Sequence, residues 1–129
     1  MYITTDEVVE QLTEKAVAQF TDDVSGQAVN YELLTEIIMN SSGLIDNYLR
    51  GRYRLPLNNE HYILKAICLE LVKYELYKRR GKIPDAVKEA YTEAVERLKA
   101  IQKRDIVLDE GEVITIVYNK ENSVYTNEL

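Results

Sequence analysis

The 129-residue sequence predicts an all-α fold: a small helical bundle with an extended, β-type arm at its C-terminus. Three observations predict it. Apolar residues recur at the helical period in successive stretches as far as Ile101. Helix-start and helix-stop residues bound those stretches. After Arg104 the period changes, and Glu112 to Tyr118 (EVITIVY) is β-branched and reads as one short strand.

Thr4 followed by Glu7 has capping-box spacing ahead of Val8, Val9 and Leu12, which predicts a short helix from about Thr5 to Leu12. Thr13 is placed to cap a second short turn carrying Ala16, Val17 and Phe20. Asp22 to Val29 (DDVSGQAV) is polar, contains a glycine and reads as a loop. Asn30 is the expected N-cap of a long helix with apolar positions Leu34, Ile37, Ile38, Leu44, Ile45, Tyr48 and Leu49. Gly43, in mid-helix, costs about 1 kcal/mol of helix propensity relative to alanine. Its presence predicts a close helix crossing or a kink.

Gly51 to Asn59 (GRYRLPLNN) ends that helix, and Pro56 restricts Leu55 to an extended conformation. From about Glu60 to Arg80 the pattern is helical and apolar almost all round. Ile63, Ile67, Leu71 and Tyr74 form one stripe; Leu64, Cys68, Val72 and Leu76 form another. Such a helix belongs in the middle of a bundle. Lys78, Arg79 and Arg80 set cations against its negative end, and Gly81 takes the C′ site. Pro84 opens the last helix, lined by Val87, Ala90, Tyr91, Ala94, Leu98 and Ile101, with Glu93 and Arg97 spaced to pair on the outer face. Residues 1–108 form the predicted helical domain and 109–129 the arm, with Tyr125 and Leu129 as anchors in its polar end.

Composition mainly excludes. A chain that is 46% apolar and 29% charged is ordinary for a globular domain. A lone cysteine, Cys68, excludes an internal disulfide framework and fits a reducing compartment. No apolar run reaches the roughly 18 residues a membrane span needs, and the N-terminus (MYITTDEVVEQL) has neither the basic nor the apolar part of a secretion signal. One histidine and one cysteine leave little for a zinc site. No metal or cofactor is expected.

Catalytic candidates are weak. His61, the lone histidine, reads as a helix-entry residue, and Cys68 as a small hydrophobe in an apolar helix. Asp46 has no catalytic partner in view, and there is no Gly-rich phosphate loop. The chain is therefore read as non-enzymatic. Two basic clusters remain: Arg50, Arg52 and Arg54 around Tyr53, and Lys78, Arg79, Arg80 and Lys82. They serve either as helix-end cations and partners for the acids, or as phosphate contacts with Tyr53 stacking on a base, the nucleic-acid-binding alternative. Ten tyrosines against one phenylalanine and no tryptophan suit a protein built into an assembly.

Charge is uneven along the chain. The net charge is −6, but residues 1–49 carry −8, residues 50–104 carry +7 and residues 105–129 carry −5. Either the faces mix again on folding, or the molecule has one basic and one acidic surface. Such a polar molecule pairs head to tail with copies of itself, and closure makes a ring.

The run Leu44 to Leu57, LIDNYLRGRYRLPL, resembles the signature of a family from Mu-like phages and prophages, whose members are regarded as head–tail connector (adaptor) proteins. The matching pairs are Ile45-Asp46, Tyr48-Leu49, Arg52-Tyr53 and Leu55-Pro56-Leu57. Further similarity lies at Tyr2, Thr5, Glu7 and Leu12, at Phe20-Thr21-Asp22, at Tyr74 and Leu76-Tyr77, and at Pro84, Val87, Tyr91, Ala94 and Leu98, covering about residues 2–108. Where family members usually carry a glycine after the last helix, this chain has Lys103-Arg104-Asp105. The resemblance implies a virion protein of the head–tail neck, present in the host cytoplasm during assembly. It implies a ring, dodecameric to match the portal, bridging portal and tail or neck proteins, with DNA passing through the lumen without sequence-specific binding.

On this reading Arg50, Arg52, Tyr53, Arg54, Arg79, Arg80, Val113, Ile114, Ile116, Tyr118 and Tyr125 are candidate interface residues. Asp46, Tyr48, Leu55, Pro56 and Leu57 are structural. Leu55 and Leu57 are expected to be packed, with Leu57→Ala costing about 2–4 kcal/mol. Asp46, an acid on an apolar helix, is expected to hold the arginine-rich turn through Arg50, Arg52 or Arg54. The strand 113–117 can pair back on Val124-Tyr125-Thr126 across residues 119–123, or add to a neighbouring subunit; the second is preferred.

Overall fold

The first three helices begin at side-chain caps written in the sequence. At Thr4 the side chain accepts from the Glu7 N–H at 3.1 Å while the Glu7 carboxylate accepts from the Thr4 N–H at 3.1 Å, and α1 (Thr5–Leu12) follows. Thr13 joins α1 to α2 (Glu14–Thr21) without a linker, at φ +77°, and its hydroxyl accepts from the Ala16 N–H at 3.2 Å. In the loop that follows, the Asp22 carboxylate accepts from Val24, Ser25, Gln27 and Ala28 N–H groups. Asn30 Oδ1 accepts from Leu33 N–H at 3.0 Å and starts α3 (Tyr31–Leu49). Helices α4 (Tyr62–Arg79) and α5 (Asp85–Gln102) start after His61 and Pro84. This computed structural model describes residues 1–112 and the backbone of 114–118 and 124–128.

Helices α3, α4 and α5 pack on one another, and α1 and α2 lie across α3 and α4. The buried face of α4 is Leu64, Ile67, Cys68, Leu71, Val72 and Leu76. Tyr62, Lys78 and Arg79 are its exposed residues, so it is the central helix the pattern predicts. Leu34, Ile38, Ile45 and Leu49 from α3 and Leu98 and Ile101 from α5 complete the core, each fully buried. Aromatic pairs seal it: Tyr74 stacks on Tyr91 with centroids 4.1 Å apart, and Phe20 meets Tyr77 edge-on at 4.7 Å. Many tyrosines thus face inward, whereas Tyr62 is 85% exposed.

Two local expectations are corrected. Gly43 is neither a kink nor a crossing point: α3 runs through it, it is exposed, and a Cβ there would meet nothing within 4 Å. The small buried residues are its neighbours Ser41 and Ser42, and Ser42 Oγ accepts from the Tyr2 N–H at 3.2 Å. Glu93 and Arg97 do not pair among the described residues; Glu96 and Lys99 do, at 3.3 Å. Leu55 and Leu57 pack against the core as expected, each partly buried, while Pro56 between them is exposed.

Within the chain, the arm pairs back on itself. Strand β1 (Ile114–Tyr118) pairs antiparallel with β2 (Val124–Glu128), with Ile116 opposite Thr126. Only five residues separate the strands, so closing this pair costs little chain entropy. Val113 and residues 119–123 lie outside the described residues, and of Ile114, Ile116, Tyr118 and Tyr125 the backbone pairing is what is described.

Candidate functional site

The end of α3 turns two signature residues inward. The N–H groups of Arg52 and Tyr53 both donate to the Leu49 carbonyl at 2.9 Å, which curls the chain back under the bundle. Arg52 is 3% exposed and Tyr53 is 1% exposed. A buried guanidinium must find acceptors, and the chain after α5 supplies them. Arg52 donates to the carbonyl of Ile101, to the carbonyl of Ile106 at 3.1 Å, and to the Glu112 carboxylate. Its charge also lies 5.0 Å from the centre of the Tyr53 ring. The Tyr53 hydroxyl accepts from the Leu108 N–H at 2.9 Å, and Tyr53 pairs with Glu112 in a single antiparallel bridge.

A second acid completes the clasp. The Glu110 carboxylate accepts from the Asn58 and Asn59 N–H groups at 3.0 and 2.7 Å and meets His61 Nε2 at 3.0 Å. The Asn58 amide above all, then His61 and Asn59, hold this carboxyl below its ordinary range. Residues 105–112 are thereby strapped to the turn 52–61, and the expected boundary between residues 108 and 109 falls inside the strap. Helix α5 ends at Gln102, Arg104 follows at φ +72°, and the Asp105 N–H donates back to the Ala100 carbonyl at 2.8 Å.

Beside the strap lies a groove of about 520 Å³, lined by Met1, Tyr2, Asp46, residues 55–61, Leu64 and Lys65. Its inner wall is a tyrosine–carboxylate contact: the Tyr2 hydroxyl donates to Asp46 Oδ1. Burial, then the Asp46 carboxylate, pushes the Tyr2 phenol well above its ordinary value. Lys65 closes one side, pairing with Glu7 at 2.5 Å, and this contact holds the Glu7 carboxyl low.

These contacts correct several expectations. Among the described residues no arginine forms a salt bridge with Asp46; its partner is Tyr2, brought in from the chain's start. Arg52 and Tyr53 are not surface contacts, because the bundle has covered them, and the Tyr53 ring cannot stack on a base. Arg79 is engaged too, donating to the Phe20 carbonyl at 2.7 Å and to Asp23 at 3.0 Å, while Arg80 lies 5.3 Å from the centre of the Phe20 ring. Arg50, Arg54 and Arg80 remain exposed. The two basic clusters do not merge: one touches the end of α5 at Ile101, the other precedes its start at Asp85. The 18 residues between span about 27 Å.

Cys68 is fully buried, 3.8 Å from Ser42 Oγ, and burial pushes its thiol up to about 11, away from the reactive thiolate. Among the described residues no group of three or more His, Cys, Asp or Glu is arranged to hold a metal ion. The residues that pattern reasoning missed are Tyr2, Glu110 and Glu112. Their partners stand 44 to 60 residues away along the chain, so no local pattern could have found them.

Fold and site together define a class: a small helical bundle whose longest helix ends in a turn that clasps the root of a C-terminal arm. A family model described as Bacteriophage Mu, Gp36 matches residues 2–123, and the chain belongs to that family. It is 26% identical over 108 residues to the Mu-like prophage FluMu protein gp36 of Haemophilus influenzae, a match covering 84% of this chain and 75% of that protein. The protein is thus of Mu-like phage type. None of its described helices is long and apolar enough to cross a membrane.

Proposed function

We propose that this chain is a structural virion protein, a non-enzymatic head–tail connector subunit that assembles as a ring between the portal and tail or neck proteins. DNA passes through the lumen of that ring. One observation carries the reading: two buried signature residues, Arg52 and Tyr53, are spent on fixing the root of the arm. A buried arginine is costly to keep. Here it orients a contact element on a rigid body, which is what an assembly subunit needs. The Mu-like family membership agrees with a virion role, and the resemblance of residues 44–57 supplies the connector role.

The test is the mass of the purified chain, alone and mixed with the portal of its phage. A ring-sized complex is the expected result, and a chain that neither associates nor binds the portal overturns the reading. Truncation after Glu112, which keeps the clasp, is expected to preserve the helical circular dichroism and abolish the complex. A cut after Val107 would also remove the buried Leu108 and the counter-ion of Arg52, so it does not isolate the arm.

A further inference from the structure

Among the described residues, the arm is a sheet of two strands with no third strand on either edge. Strands β1 and β2 pair only with each other, and among the described residues no helix packs along either of them. Two five-residue strands alone are marginal in water. In an antiparallel pair, alternate residues of each strand turn N–H and C=O away from the partner, so both outer edges present unpaired backbone groups. Natural edges of this kind are blunted by lysine, proline or a covering element. Strand β1, Ile114-Thr115-Ile116-Val117-Tyr118, carries no charge and no proline, and β2 carries only Glu128.

We infer that the open edges are filled by the hairpin of a second copy, the outer edge of β1 in one copy pairing with the outer edge of β2 in the next. The inference rests on the ring-forming reading above and names the contact that would make the ring. Three features select this occupant. The hairpin has two different edges, so head-to-tail addition uses both, and closure leaves neither open. Pairing β1 with β1 of a second copy would leave both β2 edges bare. The pairing also sets an uncharged strand against one with a single acid, so no like charges oppose each other. Finally, the root of every hairpin, at Glu112, is held in the same way by the Tyr53–Glu112 bridge and the Arg52–Glu112 ion pair, so every copy starts its arm from the same point on the bundle.

The experiment is amide hydrogen exchange on the full-length chain across a concentration series, with mass followed by sedimentation. In dilute monomer, alternate amides of Ile114–Tyr118 exchange fast and the others are protected by β2. In the associated species all of them are expected to be protected, along with the outward amides of Val124–Glu128. Ile116→Lys, which places a blocking charge on β1, is expected to weaken association about tenfold with the helical circular dichroism unchanged. An oligomer, or a portal-bound ring, in which the alternate β1 amides still exchange fast overturns the inference and leaves the ring reading standing. A chain that stays monomeric to millimolar concentration, alone and with portal, overturns both. Protection of the β1 amides only when portal is added, with no self-association, assigns the edge to a foreign strand and also overturns it.

Discussion

The Arg52 guanidinium and the Glu112 carboxylate, sixty residues apart, form an ion pair whose side chains are 4% and 15% exposed. It joins the turn after α3 to the root of the arm. Removing one member of such a pair leaves the other charge buried, at about 3–5 kcal/mol. Arg52→Ala is expected at that level in urea unfolding, because it also takes a donor from the Ile101 carbonyl and the donor of the Ile106 carbonyl. Glu112→Gln is expected to cost less, about 1–3 kcal/mol, since Arg52 keeps both carbonyls. Equal and negligible effects of the two would show that the clasp contributes nothing.

Leu49 and Leu57 separate core from turn. Leu49 is fully buried and Leu57 only partly so. Leu49→Ala is expected to cost about 3–4 kcal/mol. Leu57→Ala should fall near 1–2 kcal/mol, because much of its surface already meets water. Denaturant midpoints of the two variants decide it.

Gly43 occupies an exposed, interior position of α3 with open space where a Cβ would go. Gly43→Ala is expected to stabilise the protein by about 1 kcal/mol, the helix-propensity difference. A drop in thermal midpoint would mean that the face around Gly43 makes a contact in solution.

Arg104 sits in the left-handed region at the end of α5, where a side chain costs about 1–2 kcal/mol. Arg104→Gly is expected to recover most of that. Thr13, also at positive φ, is the contrast: its hydroxyl caps α2, so Thr13→Gly relieves the backbone but loses the bond to Ala16. The net change at residue 13 should be smaller, within about 1 kcal/mol of zero.

Glu110 and Tyr2 each add a pH dependence, of opposite sign. The folded-state pKa of Glu110 is depressed, so its stabilisation is present above the unfolded carboxyl value of about 4.3 and disappears as pH falls through the folded value. Glu110→Gln should flatten that acid limb. Tyr2 is shifted the other way: its raised pKa gives a contribution that is full below the unfolded value of about 10 and is lost as pH rises through the folded value. Tyr2→Phe should remove that alkaline dependence and cost about 1–2 kcal/mol at neutral pH. Stability curves of wild type and both variants between acid and alkaline extremes provide the check.

Helix identities and starts were legible in the sequence because their causes are local. Thr4 with Glu7, Thr13, Asn30 and Pro84 act on backbone groups within a few residues, and the apolar stripes of α3, α4 and α5 follow from the helical period alone. The all-α fold class followed from these local features, and the family resemblance from the order of residues 44–57. The partners of the polar groups were decided elsewhere. Whether Asp46 meets an arginine or Tyr2, and whether Arg52 faces solvent or Glu112, depends on which chain segments packing brings together across 44 and 60 residues. Periodicity holds no information over such separations. Gly43 shows the same division: its helical cost can be read from residue type, but whether a neighbour stands opposite is a property of the packed bundle. The arm shows it again, since a β-branched run fixes an extended backbone without naming the strand that completes it.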